Sequence, residues 1–187
     1  MGSKTTGPLP ISCLPLYGEL MSDLPTYRDC IFCGPEHPFG LKLKLRYEYG
    51  MVVTELSVGA SFHGYENVVH GGIVSGIFDE VMWWAVTVGV RQITATRKLE
   101  VEFLKPMHCE TVYRVRAGVK ERRPRLFLAS GEIEDPSNGL VARASGLFMP
   151  IKNTAGRREE LVAALDLTRL SPEMAAVFST LLASPPP

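Results

Sequence analysis

The residues with the most chemical potential fall in one stretch, residues 68–88, which reads VVHGGIVSGIFDEVMWWAVTV. It opens with His70-Gly71-Gly72, and two adjacent acids, Asp79 and Glu80, interrupt an apolar run near its middle. Consecutive glycines let a ligand come close to backbone N–H groups that no side chain shields. A carboxylate beside Phe78, Val81, Met82 and Trp83 costs free energy unless something pairs with it. One reading is a core helix with His70 as its cap and the acids at a gap in the packing. The reading favoured by the cost of the buried charge is an anion-polarising helix N-terminus followed by a positioned acid.

Two other clusters carry possible chemistry. Cys30 and Cys33 have the Cys-x-x-Cys spacing of half a zinc site or of a redox pair. Zinc needs four ligands, and there is no second pair at matching spacing. His37, His63, His108 and Cys109 complete a site only if the fold gathers them. The turn-like PEHPFG run that follows does not suit a redox helix start. Two packed thiols in a lead-in loop, with no metal, are therefore expected. Arg122-Arg123-Pro124-Arg125 is a basic run between two strands, either a solvated hairpin tip or a phosphate contact.

The elements that must position these groups follow from hydrophobic period. The stretch after His70 is apolar around its whole axis, so it predicts a helix enclosed by other elements, ending at Gly89. It is no membrane span, because the apolar pieces on either side of the acids fall well short of ~20 residues. Period-two alternation predicts strands at residues 41–47, 51–58, 94–103, 111–119, 126–133 and 140–149, with a turn at Gly50. Gly131 and Gly146 lie inside strands, where they weaken packing unless another element approaches closely. Residues 14–21, 157–165 and 172–182 have short apolar or helical spacing. Successive strands with short connections want an antiparallel sheet, and one all-round apolar helix asks that sheet to curl about it.

The chain of 187 residues suits one domain with short arms: an arm over 1–29, the main domain over 30–151 and a helical tail over 152–187. A formal net charge of zero argues against gripping nucleic acid through an overall field. The proline-broken start has no secretory apolar core, and four cysteines in such a chain do not imply a disulfide scaffold. A cytoplasmic, reduced protein is expected.

Three features together resemble the hotdog-fold thioesterase superfamily, and specifically its PaaI-like acyl-CoA thioesterases. They are VVHGGIVSGIFDEVM with Asp79 nine residues after His70, the strand from Thr96 through Leu99, Val101 and Phe103 to Lys105-Pro106, and the lead-in from Cys30 to Leu41. The resemblance implies an α+β hotdog fold, in which an antiparallel sheet of about five to six strands wraps one long central helix. It implies hydrolysis of an acyl- or aryl-acyl-CoA, with coenzyme A entering as part of the substrate and no separate cofactor. Asp79 would act as base or nucleophile, the Gly71 and Gly72 N–H groups would hold the oxyanion, and His70 would position the site. The Asn that some relatives carry six residues before the HGG histidine is Gly64 here. Thr96, His63 or Asn67 could supply that polar contact. Arg122, Arg123 and Arg125 would meet the coenzyme phosphates. A hotdog hydratase or dehydratase, or a non-catalytic acyl-CoA-binding protein, is the alternative.

A distance argument sets the partner. Gly72 and Asp79 are seven residues apart on one helix, about 10 Å along its axis, whereas attack needs roughly 3 Å. A two-fold dimer with antiparallel helices would join one chain's donors to the other's acid. A homodimer with shared sites is expected, with a dimer of dimers as an extension, and with neither nucleic acid nor membrane as partner.

Overall fold

The structure is a computed structural model and describes residues 21–137, 139–151, 160, 163–168 and 170–183. In chain order the strands are β1 (Met21–Asp23), β2 (Thr26–Tyr27), β3 (Arg46–Glu48), β4 (Met51–Ser57), β5 (His63–Tyr65) and β6 (Val68–Val69). Helix α1 (Gly71–Val90) comes next, then β7 (Thr94–Phe103), β8 (Val112–Arg123), β9 (Leu126–Glu134), β10 (Leu140–Pro150), β11 (Leu165–Asp166) and helix α2 (Pro172–Ala183). Seven strands form one sheet in the order β1-β3-β4-β8-β9-β10-β7. Every neighbouring pair in it is antiparallel.

The sheet exceeds the expected five to six strands because Met21–Asp23 adds to its edge by pairing with β3. Residues 41–47 keep the alternating burial of a strand, but only the stretch from Arg46 pairs. Leu41 and Leu43 instead donate to the carbonyls of Ile31 and Phe32, and Lys42 takes a positive φ of 54°. The β3–β4 turn has positive φ at both central residues, Tyr49 and Gly50, which matches the twist of a two-residue hairpin. The short apolar segment at 14–21 lies outside the described residues except Met21, which opens β1. Residues 157–165 also lie largely outside them, and Leu165 is in a strand paired with Tyr27, not in a helix. The helix expected over 172–182 is α2, and it buries Met174, Val177 and Phe178 in the common core.

Helix α1 is apolar on every side because it is covered on most sides. Val74, Ile77, Phe78, Val81, Met82 and Trp84 are buried, together with the run from Ala85 to Val88. They share one core with Val52, Tyr113, Val115, Ala129, Ile133 and Phe148 of the sheet and with Phe178 of α2. Among the described residues it is the one helix with the length and hydropathy of a membrane span, and the sheet and α2 account for that apolarity. It does not stop at Gly89. It runs to Val90 and ends at Arg91 in the left-handed region, φ 56°. A Cβ on Gly89 would lie 3.0 Å from Val119, so this glycine serves the approach of β8.

Gly131 has a similar reason. A Cβ there would stand 3.0 Å from the Phe78 ring, so the bare strand makes room for the helix. Gly131→Val should therefore destabilise the fold by about 1–3 kcal/mol through overpacking. In a Phe78→Ala background the same change should cost distinctly less, because the ring is gone. Equal losses in both backgrounds, measured by urea unfolding, would show that the ring is not what the glycine accommodates.

Candidate active site

The N-terminus of α1 is presented by the β5–β6 hairpin, which the segment before β8 holds in place. Val69 donates to the Met107 carbonyl at 2.8 Å, and Cys109 donates to the Asn67 carbonyl at 3.1 Å. His70 follows directly, with its N–H on the Phe62 carbonyl and its own carbonyl accepting from Ile73 and Val74. It is the N-cap: its Nδ1 accepts the Gly72 N–H at 2.9 Å. An imidazole that accepts at Nδ1 carries its hydrogen on Nε2, so the exposed ring offers an outward N–H donor. The Gly72 N–H is thus engaged, while the Gly71 N–H has no acceptor among the described residues. Both lie at the positive end of the helix dipole.

Gly64 stands directly against His70. A Cβ there would stand 3.1 Å from the His70 ring and 3.2 Å from its Cα. The bare residue lets His70 close onto Gly72. His63 and Asn67 are exposed. The His63 Nδ1 lies against the Ala60 carbonyl. Asn67 makes the hairpin turn at φ 58° and uses its carbonyl for Cys109.

A cleft of about 700 Å³ opens at this helix end, lined by His70, Gly71, Val74, Phe103, Met107 and Val141 among others. Its walls are mostly apolar, and Lys105 supplies a cation at its edge, 3.9 Å from Asp135. Apart from His70 and Gly71, sequence reasoning singles out none of these wall residues as ligand contacts. The available signal is Lys105-Pro106, which ends β7 beside the HGG turn. Asp79 does not line the cleft.

Asp79 meets Thr96 instead, whose Oγ1 donates to Asp79 Oδ1 at 2.7 Å. A bulge makes this possible. Leu147 of β10 opposes Lys98 while Phe148 opposes Thr96, so Arg97 is one residue too many on β7. The extra residue reverses the parity of the strand. Thr96 consequently turns toward the helix although Leu99 and Val101, three and five residues on, also face inward.

The three arginines occupy the far end of the helix. Arg122 donates to the Gly89 carbonyl, roughly 30 Å from His70 along a 20-residue helix. Arg123 pairs with Glu121 at 2.9 Å, and Arg125 is exposed at the β8–β9 tip. The cysteine pair also has an unexpected neighbour. The grouped donors are Cys30, Cys33 and Glu80, and none of His37, His63, His108 or Cys109 joins them.

Residues 66–142 match the family model of the thioesterase superfamily. An uncharacterised protein of Schizosaccharomyces pombe is 29% identical over 93 residues, which cover 46% of this chain and 52% of that protein. The chain thus spans about half the length of the curated relative it matches. A solved thioesterase superfamily protein superposes with TM-score 0.63 at 20% identity, covering 65% of this chain and 60% of the other. The PaaI protein from the phenylacetic acid degradation operon of E. coli superposes with TM-score 0.56 at 19% identity, covering 61% and 83% respectively. At such identities the likeness is one of fold.

The His70 cap makes a spectroscopic prediction. Long-range proton–nitrogen NMR of labelled protein should find His70 Nδ1 unprotonated and Nε2 carrying the hydrogen. A hydrogen on Nδ1 would remove both the cap and the outward donor. His70→Ala should cost about 1 kcal/mol of stability through the lost cap.

Proposed function

Residues 66–142 match the family model of the thioesterase superfamily and form the centre of a hotdog fold, and from that match we propose that the chain is an acyl-CoA thioesterase whose sites are shared by two copies. The observation that carries the proposal is a division along α1. The donors are at its N-terminus beside an apolar cleft, and the carboxylate, oriented by Thr96, is two turns further along. Each half is suited to one part of thioester hydrolysis, and neither half suffices alone.

In this reading the acyl group enters the cleft against Val74, Phe103 and Met107. The thioester oxygen meets the free Gly71 N–H and the His70 Nε2–H, which stabilise the negative charge that grows on it. The engaged Gly72 N–H holds the imidazole in place. Asp79 of the second copy takes a proton from water as the water attacks the carbonyl carbon. The carbon–sulfur bond then breaks, and the proton passes to the departing coenzyme A thiolate. Direct attack by Asp79 would form a mixed anhydride that water cleaves to the same products. A single turnover in ¹⁸O-labelled water separates the two routes, since only the anhydride leaves label in Asp79.

The edge of the sheet supports the second copy. β7 is a ten-residue edge strand, with Phe103 54% exposed at its end and Leu104 43% exposed just beyond. A long open edge readily accepts another strand. Antiparallel pairing of two β7 strands about a two-fold axis would set the two α1 helices side by side in opposite directions. The arginine-bearing end of one helix would then approach the cleft end of the other. That arrangement offers Arg122, Arg123 and Arg125 a route to the coenzyme phosphates which a single chain lacks.

Release of free thiol from a panel of aliphatic and aryl-acyl-CoAs tests the activity. Wild-type protein should turn over at least one class, and Asp79→Asn should lower its kcat about 10²–10⁴-fold with the fold intact. Turnover unchanged in Asp79→Asn would contradict the assignment of the acid. Tight acyl-CoA binding without turnover in the wild type would reassign the protein as a binding module.

A further inference from the structure

Glu80 is the half-buried acid that the thioesterase reading does not use. It is next to Asp79, but adjacent helical residues point about 100° apart, and the two carboxylates face different neighbours. Asp79 meets β7 through Thr96. Glu80 faces the lead-in loop, where its Oε2 lies 3.7 Å from Cys30 Sγ. Its other oxygen accepts the Trp84 Nε1–H at 2.9 Å. One oxygen is therefore fixed by an indole while the other is turned toward two sulfurs.

The loop is shaped to present those sulfurs. Cys30 Sγ accepts the N–H of Phe32 at 3.3 Å and that of Cys33 at 3.5 Å, and the Cys30 carbonyl accepts from Gly34 at 2.8 Å. Gly34 admits no side chain, since a Cβ would come within 2.5 Å of backbone atoms of Arg28 and Cys30. Backbone N–H groups aimed at sulfur favour the thiolate, the form that ligates metals. The two sulfurs and the Glu80 oxygen all lie within 4.8 Å of one another. Metal–sulfur bonds of about 2.3 Å and metal–oxygen bonds of about 2.0–2.2 Å in a tetrahedral site put neighbouring donors roughly 3.5–3.8 Å apart. The Cys30–Glu80 separation already has that value.

A separate residue points to the same place. The Tyr27 hydroxyl is buried with no hydrogen-bond partner among the described residues. Its ring packs against Trp83 and Trp84, with centroids 5.9 and 6.1 Å away. Its carbonyl accepts the Cys30 N–H at 3.1 Å, so the residue stands directly beside the cysteine loop. Buried polar groups of this kind normally have a partner.

We propose that Cys30, Cys33 and Glu80 form a structural site for a thiolate-favouring divalent cation, Zn²⁺ foremost, that ties the lead-in loop to helix α1. Two thiolates with one carboxylate suit Zn²⁺ better than the oxygen-seeking Mg²⁺ or Ca²⁺. The Tyr27 oxygen or a water takes the fourth position. Binding involves no oxidation: each cysteine thiol gives up its proton as the sulfur bonds the cation. A cation at this point offsets the charge of all three donors at once. The site differs in location and role from the thioesterase chemistry, which uses neither cysteine.

Full-length protein, reduced and stripped with chelator, should take up one equivalent of Co²⁺ per chain. The spectrum should show thiolate-to-metal charge transfer and the intense visible bands of a tetrahedral ion, and Zn²⁺ should displace it. Zn²⁺ should also raise Tm and shield two cysteines from alkylation. Glu80→Gln should weaken Co²⁺ binding by about tenfold or more. Cys30→Ser/Cys33→Ser should abolish the charge-transfer band, and Cys109→Ser should keep it. Should the double variant not fold, the alkylation of wild-type protein decides alone: cysteines modified equally with and without Zn²⁺ overturn the site. Full Co²⁺ binding in a folded double variant, or no uptake by the reduced wild type, overturns it as well.

Discussion

A helix apolar around its entire axis persists in water only when other elements enclose it. That constraint governs this molecule. From Val74 to Val88 ten of the fifteen residues of α1 are buried and the other five half-buried, and a flat sheet would cover only one stripe of it. The antiparallel sheet of long strands must therefore curl, and α2 closes part of what remains by placing Phe178 against Trp84. The strand glycines follow from the same demand. Gly131 and Gly146 are bare where Phe78, Met82 and Phe148 press against the sheet.

Enclosure also decides where chemistry is allowed. The body of α1 is closed, so its open features are the N-terminus and the few positions where a polar side chain meets a partner. Three such positions have distinct neighbours: His70 closes onto Gly72, Asp79 onto Thr96, and Glu80 onto Trp84 and Cys30. Helical geometry separates them in height and in direction. The terminus faces a cleft, the first acid faces the edge strand, and the second acid faces the lead-in loop. In our reading these become an oxyanion site, a base contributed to a partner chain, and a metal ligand.

Most of the fold is legible in the sequence, because period two and an uninterrupted apolar helix leave few arrangements. Thr94–Phe103 has the expected bounds, since alternating charges and Lys105-Pro106 frame it. The helix end is not legible, as Gly89 reads as a stop but serves close packing against Val119. Residues 41–45 show the right alternation, yet Leu41 and Leu43 donate to residues 31 and 32 and the Leu45 carbonyl accepts from Leu24, a tertiary preference that no local pattern carries. Strand β1 is hidden because three residues are too few to show a period. For the site, His70 and Asp79 can be read from type and spacing. The pairing of Thr96 with Asp79 cannot, because simple alternation puts Thr96 on the solvent face with Lys98 and Glu100. The bulge at Arg97 overturns that parity, and register lies beyond single-strand reading. Glu80 is missed as a partner of the cysteines because 47 residues separate it from Cys33.

The most direct test of a site divided between two copies is complementation. Gly72→Val pushes a side chain into the His70 ring, whose Nδ1 would lie 3.0 Å from its Cβ, and so spoils the donor half. Asp79→Asn spoils the acid half. Each homodimer should be inactive. When differently tagged chains are unfolded and refolded together, random assortment makes about half of the dimers mixed, each with one intact site. The account predicts recovery of about a quarter of wild-type thioesterase activity, co-purifying with both tags. Mixed dimers that carry both tags and remain inactive would contradict it, by showing that donors and acid act within one chain.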